Sequence, residues 1–282
     1  MGSAPSFIEI VENRIAGNSV RLPVFNTTAA RVQQEIGREE PDLRLIEKLI
    51  VSDQALTAEV LRFSNSSFYK GLTQVSTVRN AIVRLGINEV SNIVTMVAHE
   101  NQFRSKDPFL NGVMRKLWCH ALATAMAAHW LSRHCGLHGI AHEAFFAGLL
   151  HDVGKLFILT VIDDIQQSGE LSGKPPVSLL MEAMDDLHTT HGYALMHHWN
   201  LPEKYSQVVR DHHTQALEAE NYLSLTVRLA NKTCNKMGLG LRHDAGMVLM
   251  ATAEASELHL SEVDIATLEI MLEDSQAPAH KG

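Results

Sequence analysis

The sequence has few of the residues that interrupt regular structure. Its 282 residues include only 17 glycines and 8 prolines, and aromatic residues make up 6% of the chain. Sandwiches and barrels of many short strands need frequent turns, so this scarcity disfavours an all-β fold. Leucine, alanine, methionine and glutamate are frequent instead, and these residues favour helices. The length suits one large domain or two modest ones.

Cysteine is also scarce. The three cysteines, Cys119, Cys135 and Cys234, are widely spaced and form no Cys-x-x-Cys motif. An odd number of isolated cysteines argues against a disulfide framework and against a thiolate zinc site. We expect reduced, buried thiols in a cytoplasmic protein.

Basic charge and long apolar runs are lacking as well. The net charge is -8, which argues against nucleic acid as a partner bound through a broad basic face. Small anionic ligands stay possible, because a local metal ion or lysine can outweigh the global charge. Reading the sequence alone, we find no apolar run of about 18 residues and no signal sequence, so we expect no membrane partner and a cytoplasmic location.

Helix caps and apolar repeats predict an all-α fold without strands. Up to about Arg104 they predict five or six short helices, and Lys106–Pro108 is the predicted boundary. Residues 1–106 then form an N-terminal helical subdomain, and residues 107–282 form a second helical subdomain. The predicted N-caps of the first subdomain are Ser6, Asn26 or Thr27, Asp42, Asp53, Ser76 and Asn88.

The second subdomain begins with a long predicted helix, from about Leu110 to His134. The next predicted helix starts near Ala141 and runs into His151-Asp152. Ser178 and Thr189-Thr190 are predicted caps of two separate helices, because each precedes an apolar segment. The remaining predicted helices are 202–213, 222–234, 245–256 and 261–273, and the last begins with a capping box of Ser261 and Asp264.

The segment FFAGLLHDVGK carries the first sign of chemistry. In it, His151 and Asp152 follow an apolar helix, and an imidazole beside a carboxylate is a good ligand pair for a first-row divalent ion. At helical spacing, Lys155 lies one turn from both. His120 lies upstream on a predicted helix, and His188, His212 and His213 lie downstream. Histidines from separate helices would complete such a site, which could activate water and hold a phosphoryl oxygen.

This order of residues resembles the HD superfamily of metal-dependent phosphohydrolases. It is more closely similar to the HDOD branch, the HD-related output domains of bacterial signalling proteins. The closer resemblance rests on Leu22-Pro23 and on the segments DQALTAEVLRFSNSSFY, AIVRLG and HTTHGYALMHHWNLPEKYSQVVRDHH, and it spans about residues 20–234. It implies an all-helical fold.

The resemblance also implies a ligand set for one or two divalent ions, with iron, manganese, zinc or nickel as candidates. In it, Lys155 corresponds to a phosphate-facing lysine, and Asp152 and Lys155 would be catalytic. Asn231 stands where the superfamily has an aspartate, so it is a weaker ligand, and no Gly-Tyr-Pro follows His213. The implied metal ligands are His120, His151, Asp152, His188, His212 and His213.

Many HDOD proteins share the HD fold without known catalysis. The first hypothesis is therefore a signalling module that binds metal and has weak or no hydrolysis, with a signalling protein as partner. The alternative is an active phosphohydrolase or phosphodiesterase on a nucleotide, a cyclic nucleotide or another phosphate-containing small molecule. A third hypothesis is a purely structural metal that ties the helices together.

Overall fold

The protein is helical throughout the part that the structure describes. The computed structural model describes residues 5–17, 26–66, 69, 74–100, 102–171, 173–215 and 220–276, and these contain no strand. The all-α prediction is therefore confirmed. The first six helices are α1 (Phe7–Ala16), α2 (Thr27–Ile36), α3 (Leu43–Val51), α4 (Gln54–Ser64), α5 (Val78–Leu85) and α6 (Ile87–Glu100).

The remaining helices form the larger part of the fold. They are α7 (Pro108–His134), α8 (Ala141–Leu150), α9 (Val153–Ser168), α10 (Val177–His198), α11 (Glu203–Asp211), α12 (Tyr222–Lys236), α13 (Ala253–Glu257) and α14 (Glu262–Gln276). Short 3₁₀ turns cover His138–Ile140 and Leu249–Ala251. Helix α1 packs on α9 and α10, and Arg14 pairs with Asp164 at 2.6 Å. The boundary at residue 106 stays a prediction.

Side-chain caps set most of the helix starts. Ser6 forms a full capping box with Glu9, and Asn26, Asp42 and Asp53 also accept hydrogen bonds from backbone N–H groups of their helices. Ser261 and Asp264 make the predicted reciprocal contacts at the last helix. The cap of α5 is Thr77 rather than Ser76.

Three helix starts predicted from the sequence are wrong, each for a physical reason. Asn88 lies inside α6, because Gly86 turns the chain with a φ of 86° and α6 begins at Ile87. The caps at Ser178 and Thr189-Thr190 are not used, because α10 is one continuous helix from Val177. Its middle is buried against α9, and that packing outweighs the local preference of threonine for a cap.

The prediction of one continuous helix over 245–256 is also wrong. Only the 3₁₀ turn and the five-residue α13 form there, with Thr252 capping α13. The three cysteines are free, but only Cys234 is buried; Cys119 is exposed and Cys135 is half-buried. The expectation of buried thiols is thus correct for Cys234 alone.

The segment 138–168 corrects the expectation about apolar runs. By length and mean hydropathy this segment could cross a membrane, but 94% of its most apolar stretch is buried inside the protein. Such burial is typical of the core helices of a soluble protein. In the fold this segment is the 3₁₀ turn followed by α8 and α9.

Two glycines let the central helices approach closely. A Cβ at Gly148 of α8 would lie 2.9 Å from the backbone of Ala125 on α7. A Cβ at Gly154 of α9 would lie 1.9 Å from the carbonyl oxygen of His188 on α10. Only glycine permits this separation. These contacts place the ends of α8 and α9 against the faces of α7 and α10 that carry His120 and His188.

Candidate metal centre

The turn between α8 and α9 holds the centre of the site. The sequence predicts His151 and Asp152 at the end of one helix, but α8 ends at Leu150 and α9 begins at Val153. Asp152 stands at the N-cap position of α9, yet its side chain makes no cap hydrogen bond. Its carboxylate is therefore available to the neighbouring histidines.

The carboxylate of Asp152 faces four imidazole rings. Its Oδ2 lies 3.6 Å from Nε2 of His120 and 3.4 Å from Nε2 of His151. Its Oδ1 lies 3.7 Å from Nε2 of His188 and 3.4 Å from Nε2 of His212. Each oxygen thus serves a separate histidine pair, which is the arrangement of a carboxylate shared by two cation sites.

The other nitrogen of each ring is held by the backbone. In all four rings Nδ1 lies within hydrogen-bond distance of a carbonyl oxygen, and a carbonyl can only accept. Nδ1 therefore carries the hydrogen, and Nε2 presents its lone pair to Asp152. The pairs are His120 with Leu239 (2.9 Å), His151 with Gly148 (2.7 Å), His188 with Asp185 (3.1 Å) and His212 with Val209 (2.9 Å).

Several acceptor atoms at the centre have no hydrogen-bond partner among the described residues. They are Nε2 of His151, His188 and His212 and Oδ1 of Asp152, and all four are buried. Burying unpaired polar atoms is costly, and native proteins nearly always satisfy them. Cations bound on the two sides of Asp152 would satisfy these acceptors, and imidazole with carboxylate is a donor set that first-row divalent ions accept.

Burial keeps three of these histidines, His120, His188 and His212, neutral. It lowers the pKa of His120 to about 4 and that of His188 to about 3. Burial also lowers the pKa of His212. These rings are consequently uncharged at neutral pH, which is the form that binds a metal.

Asp152 keeps its negative charge. Burial alone raises the pKa of this carboxyl, but the ammonium group of Lys155 is the largest opposing influence, and the pKa is held well below its usual range. The Lys155 Nζ donates to Asp152 Oδ2 at 2.7 Å, and Lys155 is 8% exposed. The lysine thus neutralises a buried charge that would otherwise be unpaired.

His213 lies at the rim of the second histidine pair. It is exposed, and its ring centroid is 4.1 Å from that of His212 and 5.1 Å from that of His188. The potential ligand atoms of these three histidines and Asp152 lie within 4.8 Å of one another, as do those of His120, His151 and Asp152. The structure therefore brings together all six predicted metal-ligand positions.

Asn231 is buried on α12, with 5% exposure. Its Oδ1 accepts a hydrogen bond from Nδ2 of Asn235 at 3.0 Å, and Asn235 lines the cavity beside His120 and Asp152. A role for Asn231 as a weak ligand stays a prediction.

The segment 239–242 also belongs to this site and was not predicted from the sequence. Leu239 supplies the carbonyl that orients His120, and Gly240, at a φ of 142°, packs so closely that a Cβ there would lie 2.8 Å from Cβ of His120. Arg242 then pairs with Asp185 of α10. The two closely spaced glycines, Gly238 and Gly240, were the signal in the sequence that could have indicated a tight turn here, because both take a positive φ.

A very small cavity lies between this segment and the metal ligands. Its volume is about 10 Å³, and it is lined by His120, Asp152, Lys155, Asp185 and Arg242 together with neighbouring apolar residues. A space of that size holds about one water molecule. The pair of Arg242 and Asp185 forms part of the wall of this small space.

The fold and this centre define an all-helical protein with a buried cluster of histidines around one aspartate. The HDOD domain family matches residues 22–215. The chain belongs to the HDOD family.

Known structures agree with this assignment at the level of the fold. An HDOD domain protein of Geobacter sulfurreducens has a TM-score of 0.75 at 20% identity, over 96% of this chain and 95% of that one. A protein of Shewanella amazonensis SB2B, named "Putative metal-dependent phosphohydrolase", has a TM-score of 0.71 at 20% identity, over 95% and 97%. A "Putative signal transduction protein" of Marinobacter aquaeolei VT8 has a TM-score of 0.66 at 20% identity, over 96% and 63%.

One curated relative is similar in sequence. It is an uncharacterized protein of Treponema pallidum, 28% identical over 224 residues, which are 75% of this chain and 42% of that protein. The chain thus spans less than half the length of this relative.

Proposed function

We propose that the chain is a signalling module whose centre holds two divalent ions and performs little or no hydrolysis. One observation carries the metal part of this proposal. The two oxygens of Asp152 face different pairs of histidines, at 3.4 to 3.7 Å, through nitrogens whose tautomer the backbone fixes. His120 and His151 would hold one ion, and His188 and His212, with His213 at the rim, would hold the other.

Iron, manganese, zinc and nickel all accept this donor set. When bound, such ions lower the pKa of a coordinated water and balance negative charge on a phosphoryl group. The role of Lys155 in the proposal is electrostatic, since its ammonium group holds the Asp152 carboxylate at 2.7 Å.

Low turnover is supported by the closed space at the centre. Ligand pockets for small molecules usually measure about 300–1,000 Å³, whereas the cavity beside His120, Asp152 and Lys155 measures about 10 Å³. A nucleotide beside Lys155 would need more space than this, and opening of the pair of Arg242 and Asp185 would widen the cavity. Asn231, a neutral residue at the position of the superfamily's aspartate, points in the same direction.

A metal-dependent phosphohydrolase is the second candidate, and one observation favours it. Lys155 and Arg242 both line the cavity beside Asp152, so two cations would face the phosphate of a nucleotide or another phosphate-containing small molecule once the segment opened. A purely structural metal is the third candidate. It is favoured because the ligands come from α7, from α10 and from the ends of α8 and α11.

The partners and the location belong to this proposal as well. A signalling protein is the partner we propose, and the neighbour from Marinobacter named for signal transduction supports it. We propose a cytoplasmic location, which agrees with the reduced cysteines.

The test is a turnover screen on metal-loaded protein. The wild type is loaded in turn with iron, manganese, zinc and nickel and assayed with bis(p-nitrophenyl) phosphate, nucleotides and cyclic nucleotides. Asp152→Ala removes the shared carboxylate, and Asp186→Ala removes an exposed carboxylate of α10 as a matched control. Bound metal without turnover supports the signalling proposal.

Other outcomes decide between the candidates. Turnover that disappears in Asp152→Ala and persists in Asp186→Ala would establish the phosphohydrolase instead. Unfolding on chelation without any turnover would support a structural metal. A wild type that binds none of the four metals would refute all three candidates.

A further inference from the structure

A second cavity lies at the N-terminal ends of α8 and α11, whereas the metal ligands His151 and His212 follow the C-terminal ends of these helices. Its volume is about 560 Å³, which falls within the range of about 300–1,000 Å³ for small-molecule sites. Its wall combines α2 and Asn88 of α6 with the N-terminal ends of α8 and α11. None of the residues assigned to the metal centre lines it.

The wall of this cavity offers aromatic surface. Trp199 and Tyr205 line it together with Phe146, and the rings of Phe146 and Tyr205 lie 4.7 Å apart. Planar ligands stack on such rings, and stacking stabilises bases bound in this way. An aromatic wall next to polar groups is typical of sites that bind flat molecules with hydrogen-bonding edges.

Polar side chains on the same wall have no hydrogen-bond partner within the described ranges. They include the carboxamides of Gln34 and Asn88, the imidazole of His142 and the hydroxyl of Tyr205. The Nδ1 atom of His142 is buried as well as unpaired. Carboxamides and a neutral imidazole each offer both donors and acceptors, so this set suits a ligand edge that carries both kinds of group.

The wall carries no unbalanced charge. Among its described residues the only two charged side chains are Glu143 and Lys204, and these form an ion pair at 2.6 Å. Burial lowers the pKa of His142, so this ring is neutral at pH 7. A charged ligand would lose its hydration without gaining a free counter-charge, so the cavity favours an uncharged ligand.

We propose that this cavity is a binding site for an uncharged, planar heteroaromatic molecule, chemically of the type of a purine nucleoside. The ring system would stack against Trp199 and Tyr205, and the polar groups of the ligand would bond to His142, Asn88 and the hydroxyl of Tyr205. The proposal does not depend on metal binding or on hydrolysis.

The cavity lies at the starts of two helices that lead to the metal centre. Helices α8 and α11 start at this cavity and end directly before His151 and His212. They have 10 and 9 residues, so each spans about 15 Å at the usual helical rise. A ligand in the cavity would therefore contact the starts of both helices that lead to the metal centre.

The test is calorimetric titration of the full chain with adenosine, and with ribose as the matched probe that lacks the base. Gly139→Phe is designed to fill the cavity, since Gly139 lines it and a Cβ there would meet nothing within 4 Å. Gly112→Phe is the control, because Gly112 is also open within 4 Å but lies on α7 outside the cavity. Tyr205→Phe removes only a hydroxyl and keeps the fold testable if Gly139→Phe does not fold.

We expect saturable binding of adenosine and none of ribose. Gly139→Phe should weaken adenosine binding by about tenfold or more, and Tyr205→Phe should weaken it by a smaller factor, whereas Gly112→Phe should bind like the wild type. Three results would each overturn the proposal: no saturable adenosine binding up to millimolar concentration, equal binding of ribose, or unchanged affinity in both Gly139→Phe and Tyr205→Phe.

Discussion

The close contact at Gly154 supports a quantitative prediction about the metal centre. A Cβ at this position would lie 1.9 Å from the carbonyl oxygen of His188 and 2.9 Å from the amide nitrogen of Gly192. Both obstacles are backbone atoms, so no rotamer change can relieve the clash. In Gly154→Ala, therefore, α9 and α10 must separate by about 1.5 Å to reach ordinary contact distances.

The magnitude follows from two opposing effects. Overpacking of a tight helix contact costs about 1–3 kcal/mol, and a backbone obstacle places this case at the upper end. Alanine in place of glycine inside a helix returns about 1 kcal/mol. We expect Gly154→Ala to lower the free energy of unfolding by about 2 kcal/mol and to lower metal affinity, because His188 moves with α10.

Gly112 provides the matched control for this prediction. It lies inside α7, and a Cβ there would meet nothing within 4 Å. Gly112→Ala should therefore raise the free energy of unfolding by about 0.5–1 kcal/mol through helix propensity alone. Urea unfolding followed by circular dichroism measures both variants, and equilibrium dialysis measures their metal affinity.

The two substitutions are thus expected to have opposite signs. If Gly154→Ala were as stable as the wild type and bound metal equally well, the close approach of α9 to α10 would not position His188. The account of how the fold builds the site would then be wrong.

Three further predictions concern pH, metal removal and a helix cap. Burial holds the pKa of His99 at about 4 against 6.5 for an ordinary histidine. Between pH 4 and 6.5 the unfolded chain therefore binds more protons than the folded chain, and the free energy of unfolding falls as the pH drops through this range. His99→Leu removes the titrating group, so the variant should lose about 3 kcal/mol less stability than the wild type over this range. Urea unfolding at each pH measures the difference. Chelation should lower the melting temperature of the wild type and leave that of Asp152→Ala unchanged, as calorimetry would show. Asp107 accepts from the amides of Phe109 and Leu110, so Asp107→Ala should cost about 1 kcal/mol in urea unfolding.

Local signals in the sequence predicted much of the fold. Ser6, Asn26, Asp42 and Asp53 cap the helices they were expected to cap, because a cap depends on a side chain and the next three residues. The prediction failed where distant packing overrides a local preference. Thr189-Thr190 reads as a cap, but the chain there is buried against α9 and continues as one helix.

The ligand residues were predictable and their arrangement was not. His151-Asp152 and the later histidines stand out by type and order, and the structure places them together. The sequence does not reveal that Oδ1 and Oδ2 of Asp152 face different histidine pairs, because that depends on how four helices pack. The carbonyl of Leu239 and the pair of Arg242 with Asp185 are long-range contacts of the same kind.

The cavity between α2, α8 and α11 was beyond prediction for the same reason. Gln34, Asn88, His142 and Trp199 are far apart in sequence and have no telling spacing. Only the packed helices bring them to one wall.

Metal stoichiometry tests the central claim most directly. Wild type and Asp152→Ala are loaded with manganese or iron, dialysed and measured by elemental analysis, with Asp186→Ala as the matched control. A carboxylate shared by two sites predicts about two ions per chain in the wild type and in Asp186→Ala, and almost none in Asp152→Ala. A wild type without bound metal, or an Asp152→Ala protein that keeps both ions, would contradict it.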